Sequence, residues 1–186
     1  MSKLLSFGII LMNIAIIFLS CQDAKNKGFV SSGDPKIDSM RQDSIRNIEI
    51  KSKLLKQREE AYNLVTMMLK KYREMPEELL NDYFQVDYIV NNDNLQDIID
   101  LGEWYHFNKD NTFEHGFLNK KAEKGRYAYG KRSKSILLYY DSENEFPEEW
   151  KITFYENELI FEGTPTFGTE NSKKHLKRVK DKPVLK

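Results

Sequence analysis

Three hydrophobic rhythms succeed one another along the chain. Leu4 to Ser20 is an apolar run broken only by Ser6, Gly8 and Asn13, with Lys3 before it and Cys21 at its end. Residues 21–36 are polar and small, with Phe29 and Val30 as their one bulky apolar pair, which predicts a tether. From Ile37 to about Met75 neither Gly nor Pro occurs, and Lys, Arg, Glu, Gln and Leu dominate, which predicts a helix. Ile48, Leu55, Tyr62 and Leu69 recur on one face, and Ala61, Val65, Met68 and Tyr72 widen that stripe in the second half. Pro76 ends this helix and opens another over Glu77–Phe84; a turn and a short helix around Leu95, Ile98 and Ile99 follow. Residues 37–100 are therefore expected to be helical.

The rhythm changes at Gly102. Short alternating or continuous apolar segments are now separated by Gly, Asn, Asp, Pro and Ser. They predict seven strands, near Glu103–Asn108, Thr112–Leu118, Gly125–Tyr129, Ser135–Tyr140, Glu149–Tyr155, Glu158–Glu162 and His175–Val179. Hairpin spacing without intervening helices predicts an antiparallel meander, and curling closed is how such a meander hides its edges. The fold class expected is thus mainly β, a barrel over residues 101–180 preceded by a helical segment, with 181–186 as a tail.

The opening run has the layout of a secretory signal: a positive head, an apolar stretch slightly short of a membrane span, and a small residue before the cut. Phe18-Leu19-Ser20-Cys21 resembles the lipobox of bacterial lipoproteins, with Phe18 where leucine is usual. The resemblance implies cleavage of residues 1–20 and attachment of diacylglycerol and palmitate-type chains to Cys21. Each buried methylene of such chains contributes about 0.8 kcal/mol to anchoring. An uncleaved signal anchor is the alternative. Gln22 is not the aspartate associated with inner-membrane retention, so the expected location is the cell envelope, on the outer membrane facing the periplasm.

The strand region resembles the lipocalin-like family found among bacterial envelope lipoproteins. The carrying residues are Leu101-Gly102-Glu103-Trp104, then Asp110-Asn111-Thr112-Phe113, Gly125-Arg126-Tyr127, Trp150-Lys151-Ile152 and Leu159-Ile160-Phe161. The resemblance implies that Trp104 plugs one end of the barrel, with Arg178 stacked over it. It also implies eight strands, one more than the pattern predicts.

Charge refines this picture. There are 29 Lys+Arg against 29 Asp+Glu, and removal of Lys3 with the signal leaves −1, which points away from nucleic acid. The distribution is uneven. Glu74 to Asn108 holds nine acids and no base, whereas the stretch from Lys173 holds seven bases against Asp181. The acidic segment is expected to lie against the basic tail, against the helix, or in solvent. Asn91–Asp97 lacks the turn glycine and closing glutamate of a calcium loop, so no metal is assigned.

Candidate chemistry is sparse. Cys21 is the sole cysteine, there are three histidines, and no phosphate loop, HExxH or Gly-x-Ser-x-Gly occurs, so no catalytic residue and no cofactor is assigned. With Asp110-Asn111 as a two-residue turn, His106 opposes His115 and Trp104 opposes Phe117; a one-residue shift breaks both pairs. Phe113, Phe117, Tyr127, Tyr129, Trp150, Phe154 and Phe161, with Ile152 and Leu159, are expected to face inward, lining an apolar pocket or filling it. Two functions follow. One is a noncatalytic, membrane-anchored carrier of a small apolar ligand. The other is an envelope lipoprotein that holds a protein partner through its helices and barrel rim, as an inhibitor or assembly accessory.

Overall fold

The computed structural model describes residues 35–71, 75–91, 94–97, 102–118, 121–167 and 169–183. Cys21, the signal run and most of the tether lie outside them. The chain divides into two units, Met1–Glu49 and Ile50–Lys186. A helix, α1, spans Pro35–Lys71. Pro35 supplies a preset φ at the first position, Asp38 sits in the first turn, and Lys70 and Lys71 in the last, each matching the helix dipole. Among the described residues no helix is long and apolar enough to cross a membrane.

Nine strands follow: β1 (Tyr83–Asn91), β2 (Asn94–Asp97), β3 (Trp104–Phe107), β4 (Thr112–Gly116), β5 (Glu123–Gly130), β6 (Ser135–Tyr140), β7 (Glu148–Phe154), β8 (Glu158–Gly163) and β9 (Ser172–Val179). β1 and β3 to β9 form an antiparallel meander that β1 and β9 close into a barrel of eight strands. β2 is a short hairpin partner on the far half of β1. This is the closed antiparallel barrel expected from the strand pattern, with the eighth strand that the lipocalin-like resemblance implied. All seven predicted strands are present, with ends shifted by up to three residues.

The missing strand lies in the segment predicted to be helical. Glu77–Leu79 is a single 3₁₀ turn, and Tyr83–Asn91 is β1 rather than the continuation of a helix. Leu95 lies in β2, while Ile98 and Ile99 fall outside the described residues. Two features disguised β1. Leu79, Leu80, Tyr83 and Phe84 imitate a helical period, and a bulge between Val86 and Tyr88 breaks the two-residue alternation so that Phe84, Val86 and Ile89 are the buried positions.

Among the described residues the inside of the barrel is packed with large side chains. Phe84, Tyr105, Phe107, Phe113, Tyr127, Leu138, Tyr140, Trp150, Leu159, Phe161 and Leu176 form one buried cluster. Rings meet at short range across it: Phe107–Tyr127 and Phe113–Tyr140 at 5.1 Å, Tyr105–Phe161 at 5.5 Å and Trp150–Phe161 at 5.7 Å between centroids. Eight strands leave an interior about as wide as the side chains that point into it. A second cluster forms on the outer wall, where Ala61 and Val65 of α1 pack on Ala128, Leu137 and Phe167. The unbroken apolar run Ile136-Leu137-Leu138 follows from this, since β6 is buried on both faces.

The second half of the predicted stripe is the face that packs on the barrel, through Ala61, Val65, Met68 and Leu69, and Leu54 and Arg58 extend it toward the N-terminus in place of Leu55. Leu54, Arg58, Ala61 and Val65 are buried, while Leu55 and Tyr62 are 59% and 45% exposed. In the first unit Ile48 is 69% exposed. Arg58 makes the difference. Its guanidinium donates to the carbonyls of Glu145 (2.9 Å) and Tyr140 (3.0 Å) and to the Tyr139 hydroxyl (3.2 Å), tying α1 to the β6–β7 connection.

Candidate functional site

β3 and β4 are joined by three residues rather than two. Asn108 and Thr112 pair across Lys109-Asp110-Asn111, Asn111 takes φ +66°, and the Asp110 carboxylate accepts from the Thr112 amide at 3.0 Å. The register moves by one, so Tyr105 opposes His115 and Trp104 opposes Gly116. The expected pairs His106–His115 and Trp104–Phe117 are therefore both corrected. His106 donates through Nδ1 to the Asp82 carbonyl at 3.0 Å and stacks on Tyr83, away from the interior.

The same parity relocates the expected barrel plug. Glu103, Tyr105 and Phe107 point inward, and Trp104 lies outside their cluster; it is 1% exposed, edge-on to Tyr83 at 5.5 Å and beneath the Lys182 ammonium at 4.7 Å. Arg178 does cover an aromatic ring at a barrel end, but the ring is Phe84, at 5.8 Å. Its guanidinium also donates to the Glu78 carbonyl at 2.9 Å. Phe84 and Arg178 are cross-strand partners, whereas Trp104 lies on β3.

Most of the residues expected to line an apolar pocket or fill it pack on one another. Phe113, Tyr127, Trp150, Ile152, Leu159 and Phe161 belong to the central cluster, with Tyr129 and Phe154 against its edge. Tyr127 donates to the Asn108 carbonyl at 2.9 Å, and burial raises its hydroxyl pKa above the ordinary range. Phe117 stands apart from this cluster, 5.3 Å from the His115 ring.

At the end of the barrel where β3, β7 and β9 begin, the interior becomes polar. Glu103 is 4% exposed, and its Oε1 accepts from Lys174 Nζ (2.7 Å), the Tyr105 hydroxyl (2.8 Å) and His115 Nε2 (2.9 Å). His115 Nδ1 meets the Tyr140 hydroxyl at 3.1 Å, and that hydroxyl reaches Glu148 Oε1 at 3.2 Å. Glu148 Oε2 accepts from Trp150 Nε1 at 2.7 Å. The Lys174 ammonium also sits over the rings of Trp150 (5.1 Å) and Tyr105 (5.2 Å).

Electrostatics keep the Glu103 carboxylate and the Lys174 ammonium of this network charged. Burial pushes the Glu103 carboxyl upward, but Lys174 and His115 overcome it and bring the pKa from 4.5 to about 2. Burial opposes the Lys174 charge too, yet Glu148 and Glu103 outweigh it and raise its pKa above that of an ordinary lysine. Burial, followed by the neighbouring carboxylates, drives Tyr105 and Tyr140 well above the usual phenol range, so both remain donors. Sequence reasoning missed Glu103, Tyr105, Tyr140, Glu148 and Lys174. The available signal was parity: Glu103 sits two and four residues before the inward Tyr105 and Phe107, and Lys174 two before the inward Leu176.

Part of the charge asymmetry of the sequence is matched where β1 meets β9. β1 runs antiparallel to β9, placing Lys177 Nζ 2.9 Å from Asp87 Oδ2 and Arg178 Nε 3.7 Å from Asp82 Oδ2. Lys174 and Glu103 form a further pair between acidic segment and basic tail. Asn91 and Asn94 close the β1–β2 hairpin.

No family model and no curated protein matches the chain. Among solved structures it is similar to a DUF4847 family protein from Bacteroides vulgatus, with 11% identity and a TM-score of 0.42 over 57% of this chain and 98% of that one. It is also similar to a protein from Bacteroides uniformis solved by NMR, with 30% identity and a TM-score of 0.39 over 56% of this chain and 91% of that one.

Proposed function

We propose that the chain is a noncatalytic interaction module of the cell envelope, lipid-anchored through Cys21, that holds a protein partner from its outer surface. The observation carrying this reading is the barrel interior packed with large side chains. Rings 5.1–5.7 Å apart occupy the space that a carrier would keep open for an apolar ligand. Meanwhile large apolar residues remain on the helix: Ile37, Met40, Ile45 and Ile48 in the first unit, and Ile50, Leu55, Tyr62, Leu64 and Met67 in the second. Helical faces of this kind serve groove-bound recognition.

Site-specific photocrosslinking in the native host tests it. A crosslinker at Leu55 is expected to give a discrete protein adduct, and one at Lys151 on the exposed barrel wall none. Organic extraction releasing a near-stoichiometric apolar molecule, with no adduct from Leu55, would return the carrier reading. Labelled palmitate is expected to enter the wild-type chain and not Cys21→Ser.

A further inference from the structure

A groove of about 410 Å³ opens beside the polar end of the barrel, within the second unit. Its walls are Lys53 and Gln57 of α1, Phe146 and Pro147 of the β6–β7 connection, Glu148 and Trp150 of β7, and Phe167, Thr169 and Ser172. Two features mark it as a place for a hydrogen-bond donor. Gln57 Oε1 is buried and has no partner, a state that costs free energy until something donates to it. Glu148 brings a carboxylate whose two oxygens each hold one neutral donor, the Tyr140 hydroxyl and the Trp150 indole. Both oxygens keep lone-pair capacity. Phe146 supplies apolar surface beside these acceptors, and the edges of Phe167 and Trp150, 6% and 2% exposed, border the groove, the Trp150 face itself lying under Lys174.

We infer that this groove takes the basic side chain of a partner polypeptide, its cationic head on Gln57 and Glu148 and its methylene stem on Phe146. An aromatic ring beside a carboxylate favours such a cation. Lys53 is an exposed residue of the groove wall and opposes it. The inference rests on the interaction reading above and names the chemistry that one of its contacts would use.

The test uses the full chain in detergent micelles, following the two indole N–H signals by NMR with Trp150→Phe for assignment. The probe is acetyl-Gly-Lys-Gly-amide, compared with its glutamate and norleucine counterparts. The lysine peptide is expected to shift the Trp150 signal saturably while leaving Trp104 still. Gln57→Leu should weaken binding about fivefold, the worth of one hydrogen bond, and Lys53→Met should strengthen it. Glu148→Gln should also weaken it, but Gln57→Leu decides because it leaves the Trp150 and Tyr140 contacts in place. A shift by the glutamate peptide, equal shifts by norleucine, no shift at all, or Lys53→Met abolishing binding would each overturn the inference. A persistent Leu55 adduct alongside any of these would leave the interaction reading standing.

Discussion

Glu103 Oε1 takes three donors within 2.9 Å, and everything at that end of the barrel is arranged around its charge. A buried pair contributes little relative to well-packed apolar residues, yet removing one partner strands the other. Glu103→Gln is therefore expected to cost about 3–5 kcal/mol, read as a lower urea midpoint at pH 7. The pH dependence has a definite sign. The folded carboxyl titrates near 2 and the unfolded one near 4.5, so the unfolded chain binds the proton first. Stability from Glu103 is complete above 4.5 and is lost as pH falls from there toward 2, amounting to about 3 kcal/mol. Urea midpoints should fall across that window in the wild type, and the part due to Glu103 should be absent from Glu103→Gln. Gly102, one residue earlier, has φ +53°, and a Cβ there would fall 2.0 Å from Leu118 Cγ. Gly102→Ala should lower Tm through a cost of about 1–3 kcal/mol. This gives the Gly-x-Trp motif a local reason: the glycine turns the chain so that Glu103 enters the barrel.

At the scale of elements, α1 packs with the second half of the stripe its sequence shows, Ala61, Val65, Met68 and Leu69, while Leu55 earlier in the stripe is exposed. Within the seven-residue series Leu69 packs against the barrel, whereas Leu55 and Tyr62 are exposed. The face that packs is spaced four, three and four residues apart, Leu54, Arg58, Ala61 and Val65. Its key member is an arginine whose three hydrogen bonds satisfy carbonyls and a hydroxyl on β6 and the loop after it. A direct comparison follows. Ala61 is fully buried against Ala128, Leu137 and Phe167, so Ala61→Leu should destabilise by about 1–3 kcal/mol. Leu55→Ser should change stability by no more than about 0.5 kcal/mol, measured by the same denaturant titration. The reverse order would mean that Leu55 rather than Ala61 is packed.

For the whole molecule the decisive contact is between the first and last strands. β1 and β9 pair from Tyr83–Val179 to Asn91–Ser172, the longest-range register in the barrel, and three ion pairs follow the same alignment of acidic and basic segments. Deleting residues 172–186 would expose the edges of both β1 and β8 and remove Leu176 and Lys174 from the interior. The truncated chain is expected to lose its near-UV circular dichroism and to aggregate on gel filtration, because open edges pair with other chains. Retention of a cooperative transition would show that closure is dispensable.

Much of this architecture was legible in the residues themselves. Seven strands could be placed because hairpin strands carry their own period and turn residues, and the helix because thirty-odd residues without Gly or Pro leave few other options. The mismatch between an acidic segment and a basic tail was equally visible, although its meaning depended on which strand met which. Three things were decided only in three dimensions. The bulge at Val86/Tyr88 hid β1, because one added residue erases a two-residue period. The three-residue turn at Lys109–Asn111 moved β4 by one position, which left Trp104 outside the central cluster and brought Glu103, Tyr105 and His115 together. And whether inward aromatics line a cavity or fill it depends on how far apart opposing walls stand, a distance set by strand number and closure and absent from any local pattern.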